Sequence, residues 1–151
     1  MSRSGYSDDY DTWDWIRWRD AIASAIRGKR GQRLLLELEA ALLALPEKNL
    51  CAYDFANPST GQVCALGAVA LKRRVDKGAS IAGALREIAE KFPEDAEAEV
   101  IADEIGVADA MVKEITWVND EDLEDATPER RYQGILEWVR SNIEANRRGK
   151  R

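Results

Sequence analysis

Residues 61–75 leave a turn at Gly61 and then have the pattern of a helix whose first two turns carry almost no polar side chain. A helix that is apolar all round is buried, and small residues such as Gly67 allow neighbouring backbones to approach closely. The sequence therefore predicts a buried central helix on which the other helices pack.

Apolar residues at spacings of three and four predict amphipathic helices on both sides of this central helix. Gly28 and Pro46 end the first two, which we expect to form an αα-hairpin, and Thr127-Pro128 starts the last one. The apolar stripes comprise Trp15, Trp18, Ile22 and Ile26; Leu35, Leu38, Leu42 and Leu45; Ile81, Leu85, Ile88 and Phe92; Met111, Val112, Ile115 and Val118; and Tyr132, Ile135, Leu136, Val139 and Ile143.

Residues 50–55 are interpreted as a strand with Cys51, Tyr53 and Phe55 on one side, and residues 57–61 are turn formers, so a short β-hairpin is expected to return through Gln62 and Val63. The predicted fold is mainly α (α+β), a compact multi-helix domain with one short hairpin between the second helix and the buried central helix. We expect residues 1–151 to form a single domain, with a flexible N-terminal segment at 1–11 and a basic disordered tail at 146–151.

The composition is 45% hydrophobic and 33% charged, with a formal net charge of -6, which is typical of a soluble, slightly acidic globular protein. The N-terminal residues lack the apolar core of a signal peptide, and no apolar run is long enough to span a bilayer. We therefore expect a cytoplasmic protein of a bacterial host cell with no membrane partner.

The chain contains no histidine, which limits its chemistry. Cys64 lies at a helix start that would stabilise its thiolate, but it has no histidine partner, and a carboxylate base would raise its pKa. Cys64 and Cys51 are therefore interpreted as free thiols. The acidic segment 120–125 lacks the glycine and glutamate spacing of a calcium loop and is interpreted as solvated. We predict no enzymatic activity, no catalytic residue, no metal site and no cofactor.

Residues 100–115 are similar to a helix-turn-helix, with Gly106 at the turn. The second helix offers Lys113 as its only cation beside two acidic residues, which is poor chemistry for reading DNA. Nucleic-acid binding through Arg27, Arg33 and Lys113 is the alternative function, and a helical corner is the competing interpretation of the motif.

Trp13 and Trp15 project from roughly opposite sides of one helix, so at least one of them is expected to be exposed. Tryptophan and arginine are enriched at protein-binding hot spots. We therefore predict a site for a protein partner on a surface that joins Trp13, Arg17, Lys29 and Arg30. The competing interpretation places the tryptophans flat over the core and the cations in a solvated turn.

Three segments, residues 24–32, 45–48 and 61–69, resemble a group of small uncharacterised proteins of bacteriophages and prophages. A looser pattern joins residues 63–68 to Trp117-Val118-Asn119-Asp120 and Thr127, and is similar to a bacterial domain family of unknown function. Neither resemblance supplies an activity. The phage resemblance implies an accessory protein that binds a host or phage macromolecule, and an inhibitor of host defence is one form of such a protein.

Overall fold

A computed structural model describes Ser4 and residues 12–144. Apart from Ser4, the predicted flexible segment at 1–11 and the predicted basic tail at 146–151 lie outside these residues. The described part of the chain is mainly helical with one two-stranded hairpin, which confirms the predicted fold class. The helices are α1 Thr12–Arg27, α2 Lys29–Ala44, α3 Ala65–Asp76, α4 Ile81–Lys91, α5 Ala98–Ile105, α6 Asp109–Trp117 and α7 Pro128–Asn142; the strands are β1 Ala56–Asn57 and β2 Gln62–Val63, and Val118–Asp122 forms a π-helical turn.

Helix α3 is the predicted central helix, and the first seven of its residues are all buried. Helices α2, α4 and α6 pack against it. A Cβ atom added to Gly67 would lie 1.9 Å from the Phe55 carbonyl oxygen. The predicted close approach is therefore confirmed, and the neighbour is the backbone just before β1 rather than another helix.

A single residue, Gly28, separates α1 from α2. The competing interpretation that Lys29 and Arg30 belong to a solvated turn is therefore wrong, because these residues lie in the first turn of α2. A Cβ atom on Gly31 would lie 1.9 Å from the Ala25 carbonyl oxygen, so the absence of a side chain there lets the two helices meet at a tight corner.

The apolar stripe of α1 is covered only in part. Ile26 is buried and Ile22 is half-buried, whereas Trp15, which falls on the same stripe, is 51% exposed. Helix α1 packs against α6 as well as against α2. Burial along α1 therefore increases towards the corner with α2.

The predicted strand at residues 50–55 is absent from the described fold, where β1 and β2 have two residues each. The Leu50 amide donates to the Pro128 carbonyl, and the Cys51 amide donates to the Val63 carbonyl. Tyr53 has a φ of 69°, a left-handed conformation that an extended strand does not accommodate. The segment is therefore an irregular connection held by tertiary hydrogen bonds.

The helix-turn-helix segment forms a helical corner. Gly106 ends α5 with a φ of 90°, and its amide donates to the Ala102 carbonyl at 2.7 Å. Met111, Val112 and Ile115 of α6 are buried in the core. Helix α6 therefore serves as a core element of the domain.

Candidate partner-binding surfaces

The N-terminal half of α1 exposes a large aromatic side chain. Trp13 is 71% exposed, and Ile16, three residues further on, is 46% exposed. Arg17 follows on the same face and forms an ion pair with Asp14 at 2.9 Å. We call Trp13, Ile16 and Arg17 the α1 outer face. The prediction that at least one of the two N-terminal tryptophans is exposed is confirmed.

Trp18 lies on a different side of α1, towards α6. The Lys113 ammonium nitrogen is 5.2 Å from the centroid of the Trp18 ring, a cation-π distance. Lys113 is half-buried in this contact. Lys113, which the alternative function of nucleic-acid binding requires, therefore packs against Trp18 of α1.

The predicted partner-binding residues fall into two groups at opposite ends of α1. Trp13 and Arg17 belong to its first turns, whereas Lys29 and Arg30 follow its last residue, Arg27. At a rise of about 1.5 Å per residue, Trp13 and Arg27 are roughly 21 Å apart along the helix axis. The structure therefore does not bring the four residues together in one compact patch.

A recess of about 260 Å³ lies beside the start of α2. Its charged lining brings together residues that the sequence places in separate basic clusters, Arg30 and Arg33 on α2 and Arg73 on α3. We call this cavity the basic recess. The remaining lining residues are Leu34, Glu37, Ile105, Gly106 and Val107.

Only part of the positive charge in the basic recess is compensated. Arg73 donates two hydrogen bonds of 2.7 Å to the Glu37 carboxylate, and this contact raises the pKa of Arg73. Within the described part of the chain, Arg30 and Arg33 have no side-chain hydrogen bond or ion pair, and both are exposed. Two uncompensated guanidinium groups therefore border the recess.

The start of α2 places these cations where the helix itself is positive. Gly28, the N-cap residue, has no side-chain acceptor, and the first turn carries Lys29 and Arg30 with no acidic residue. A cation near a helix N-terminus is unfavourable by about 0.3–1 kcal/mol at an exposed site. The N-terminus of α2 therefore gains no dipole stabilisation from these two residues.

The other basic residues of interest lie elsewhere. Arg27 lines a separate cavity of about 270 Å³ with Arg19 and Glu114, away from Arg33. Arg74 is largely neutralised by ion pairs with Glu87 and Glu104. The structure therefore does not gather Arg27, Arg33 and Lys113 into one nucleic-acid interface.

A buried polar cluster, which sequence reasoning missed, holds this half of the fold together. The Asn119 side chain accepts a hydrogen bond from the Ala65 amide at the start of α3 and donates to the Cys51 carbonyl and to Asp120. The Arg131 guanidinium is buried and donates to four backbone carbonyls. These carbonyls belong to Leu50, Asn119, Leu123 and Ala126.

The interpretation of residues 120–125 as a solvated acidic loop is wrong for its first residue. Asp120 is buried in the π-helical turn and accepts a hydrogen bond from the Tyr53 amide at 3.0 Å. With Asn119, this carboxylate fixes the irregular connection that carries Tyr53. The sequence signal was the pattern that joins residues 63–68 to Asn119 and Asp120, since the Ala65 amide at the N-terminus of α3 donates to the Asn119 side chain.

The described residues show neither a group of three or more potential metal ligands nor a helix long and apolar enough to cross a membrane. Comparison of the chain with protein-family models, with curated proteins and with solved structures finds no match.

Proposed function

We propose that the protein is a non-enzymatic accessory protein of phage type that binds a host or phage protein in the bacterial cytoplasm. An inhibitor of host defence is one form of this role. The observation that carries the proposal is the α1 outer face, where Trp13 is 71% exposed beside Ile16 and Arg17. Exposed tryptophan next to an apolar residue and an arginine has the composition of a binding hot spot.

The expected energetic weight of Trp13 makes the proposal testable. Truncating a hot-spot residue to alanine costs about 2 kcal/mol or more, which is roughly a 30-fold loss of affinity. An exposed side chain contributes little to folding, so Trp13→Ala should change the free energy of unfolding by about 0.5 kcal/mol or less. Loss of binding at normal stability is therefore the expected signature.

The test is affinity capture from bacterial lysate with the tagged full-length chain, followed by measurement of the partner's affinity. Trp13→Ala should abolish recovery of the partner that the unaltered protein retains. Leu43→Ala, which truncates another half-exposed apolar side chain on α2, is the matched control and should retain it. Equal recovery of the same partner by a normally folded Trp13→Ala protein would contradict the proposal.

The nucleic-acid alternative is tested in the same preparation. Binding that depends on phosphate contacts falls steeply with salt concentration. A DNA or RNA affinity that drops strongly between about 50 and 200 mM salt, and that Arg27→Ala and Arg33→Ala reduce, would favour the alternative over a protein partner.

A further inference from the structure

We propose that the basic recess is a second contact site, which receives a glutamate or aspartate side chain from an acidic segment of the partner protein. This inference rests on the proposed function in taking the partner to be a protein. It adds the chemistry of the partner segment and a place of contact about one helix length from the α1 outer face.

The charge of the recess supports a carboxylate as the occupant. Arg30 and Arg33 are three residues apart on α2, so their side chains are neighbours on one face. A guanidinium group offers a planar fork of donors that matches a carboxylate. Arg73 is already occupied by Glu37, which leaves two guanidinium groups to serve one or two incoming carboxylates.

The volume and lining of the recess favour a single side chain over a larger ligand as its occupant. Its volume of about 260 Å³ lies below the usual range of about 300–1,000 Å³ for small-molecule pockets. Its apolar lining comes from Leu34, Ile105 and Val107, all of which are largely buried. An acidic side chain with an aliphatic stem, or an acidic residue beside an apolar one, satisfies both kinds of lining.

The surroundings favour an acidic protein segment over a nucleic-acid strand. A nucleic-acid backbone carries closely spaced phosphates and requires cations along an extended track. Here Glu37 lines the recess, and the adjoining cavity that shares Arg73 adds Arg74 and Lys91, which are ion-paired with Glu87 and Glu104. Most of the uncompensated positive charge beside the recess therefore lies at Arg30 and Arg33, as contact with one or two carboxylates requires.

The experiment uses the full-length chain labelled with ¹⁵N and follows the Nε–Hε signals of its arginines by NMR. The probes are a blocked hexapeptide of alternating Glu and Leu, the same peptide with Gln in place of Glu, inorganic phosphate, and a short single-stranded DNA. We expect saturable shifts of the Arg30 and Arg33 signals with the Glu peptide alone, or at lower concentrations than with any other probe.

The variants assign this binding to the recess. Arg30→Gln with Arg33→Gln should weaken the Glu peptide at least tenfold, whereas Arg86→Gln, at an exposed arginine of α4, should leave its affinity unchanged. The proposal is overturned if the Glu peptide moves neither signal, if the Gln peptide moves them equally, or if phosphate or DNA binds these arginines more tightly. Because the titration needs no partner protein and leaves Trp13 intact, its failure is separate from failure of the capture test.

Discussion

Replacing Asn119 by alanine is the sharpest test of how the fold is held together. One side chain satisfies three groups: the Ala65 amide at 3.1 Å, the Cys51 carbonyl at 3.0 Å and the Asp120 carboxylate at 2.8 Å. It thereby joins the start of α3, the irregular connection before β1 and the π-helical turn. Asn119→Ala removes all three hydrogen bonds and leaves buried polar groups without this partner.

The magnitude follows from the bond count. Each hydrogen bond contributes a net 0.5–1.5 kcal/mol or so, and a buried group left unsatisfied costs about 1–3 kcal/mol. We therefore expect Asn119→Ala to lower the free energy of unfolding by about 3 kcal/mol. In a domain of this size 1 kcal/mol corresponds to roughly 2–4 °C, so the melting temperature should fall by about 6–12 °C. Urea unfolding and calorimetry measure both quantities.

A matched control separates this effect from the loss of any asparagine. Asn49 makes one hydrogen bond, to the exposed Glu47 carboxylate, and Asn49→Ala should change stability by about 0.5 kcal/mol or less. Asn119→Asp is a second variant, since it keeps the acceptor for the Ala65 amide but loses the donor and sets a carboxylate beside Asp120. A drop of less than about 2 °C in Asn119→Ala would refute the reasoning.

Three other measurements test separate parts of the structure. Gly67→Ala should destabilise the fold by about 1–3 kcal/mol or more, because its Cβ would meet the Phe55 carbonyl oxygen at 1.9 Å. An unchanged melting temperature would contradict the close approach of the Phe55 backbone to α3. Lys29→Glu should raise stability by about 0.3–1 kcal/mol by favouring the N-terminus of α2, whereas the control Lys77→Glu, at the C-terminus of α3, should lower it. Stability should also fall as the pH rises above about 10, because burial raises the pKa of Tyr132 and the folded protein keeps a proton that the unfolded chain releases. Denaturant titrations at a series of pH values measure this fall. Tyr132→Phe should make it less steep.

Helix periodicity in the sequence predicted the fold because each long helix carries its own apolar stripe. Residues 65–71 of α3 differ from such a stripe, since seven consecutive small or apolar positions leave no face for water and so place this helix at the centre. Gly106 and Thr127-Pro128 also predicted helix ends correctly. Glycine suits the left-handed conformation that ends α5, and a threonine N-cap followed by proline suits the start of α7. Local chemistry therefore sufficed wherever the structure is locally determined.

Sequence reasoning failed at residues 50–55, where long-range bonds decide the conformation. Alternating apolar residues predicted a strand, yet the backbone partners of Leu50 and Tyr53 lie on α7 and in the π-helical turn. Nothing in the alternation specifies those partners. For the same reason, the buried role of Arg131 could not be predicted from the sequence. An arginine in an amphipathic helix is ordinarily solvated, and only the assembled fold places four carbonyls around this one.

The length of the link between α1 and α2 decides which helix terminus the cations Lys29 and Arg30 occupy. With a longer turn after Arg27, Lys29 and Arg30 would extend the C-terminal end of α1, where cations are stabilising and need no further explanation. Because Gly28 alone links the helices, the same cations begin α2, where they face the positive end of the helix dipole. The tertiary fold then sets Arg73, forty residues further on, beside Arg33. If Lys29→Glu stabilises the protein while Arg30→Gln with Arg33→Gln weakens the acidic probe, the charge at the start of α2 is maintained for binding at a cost to folding.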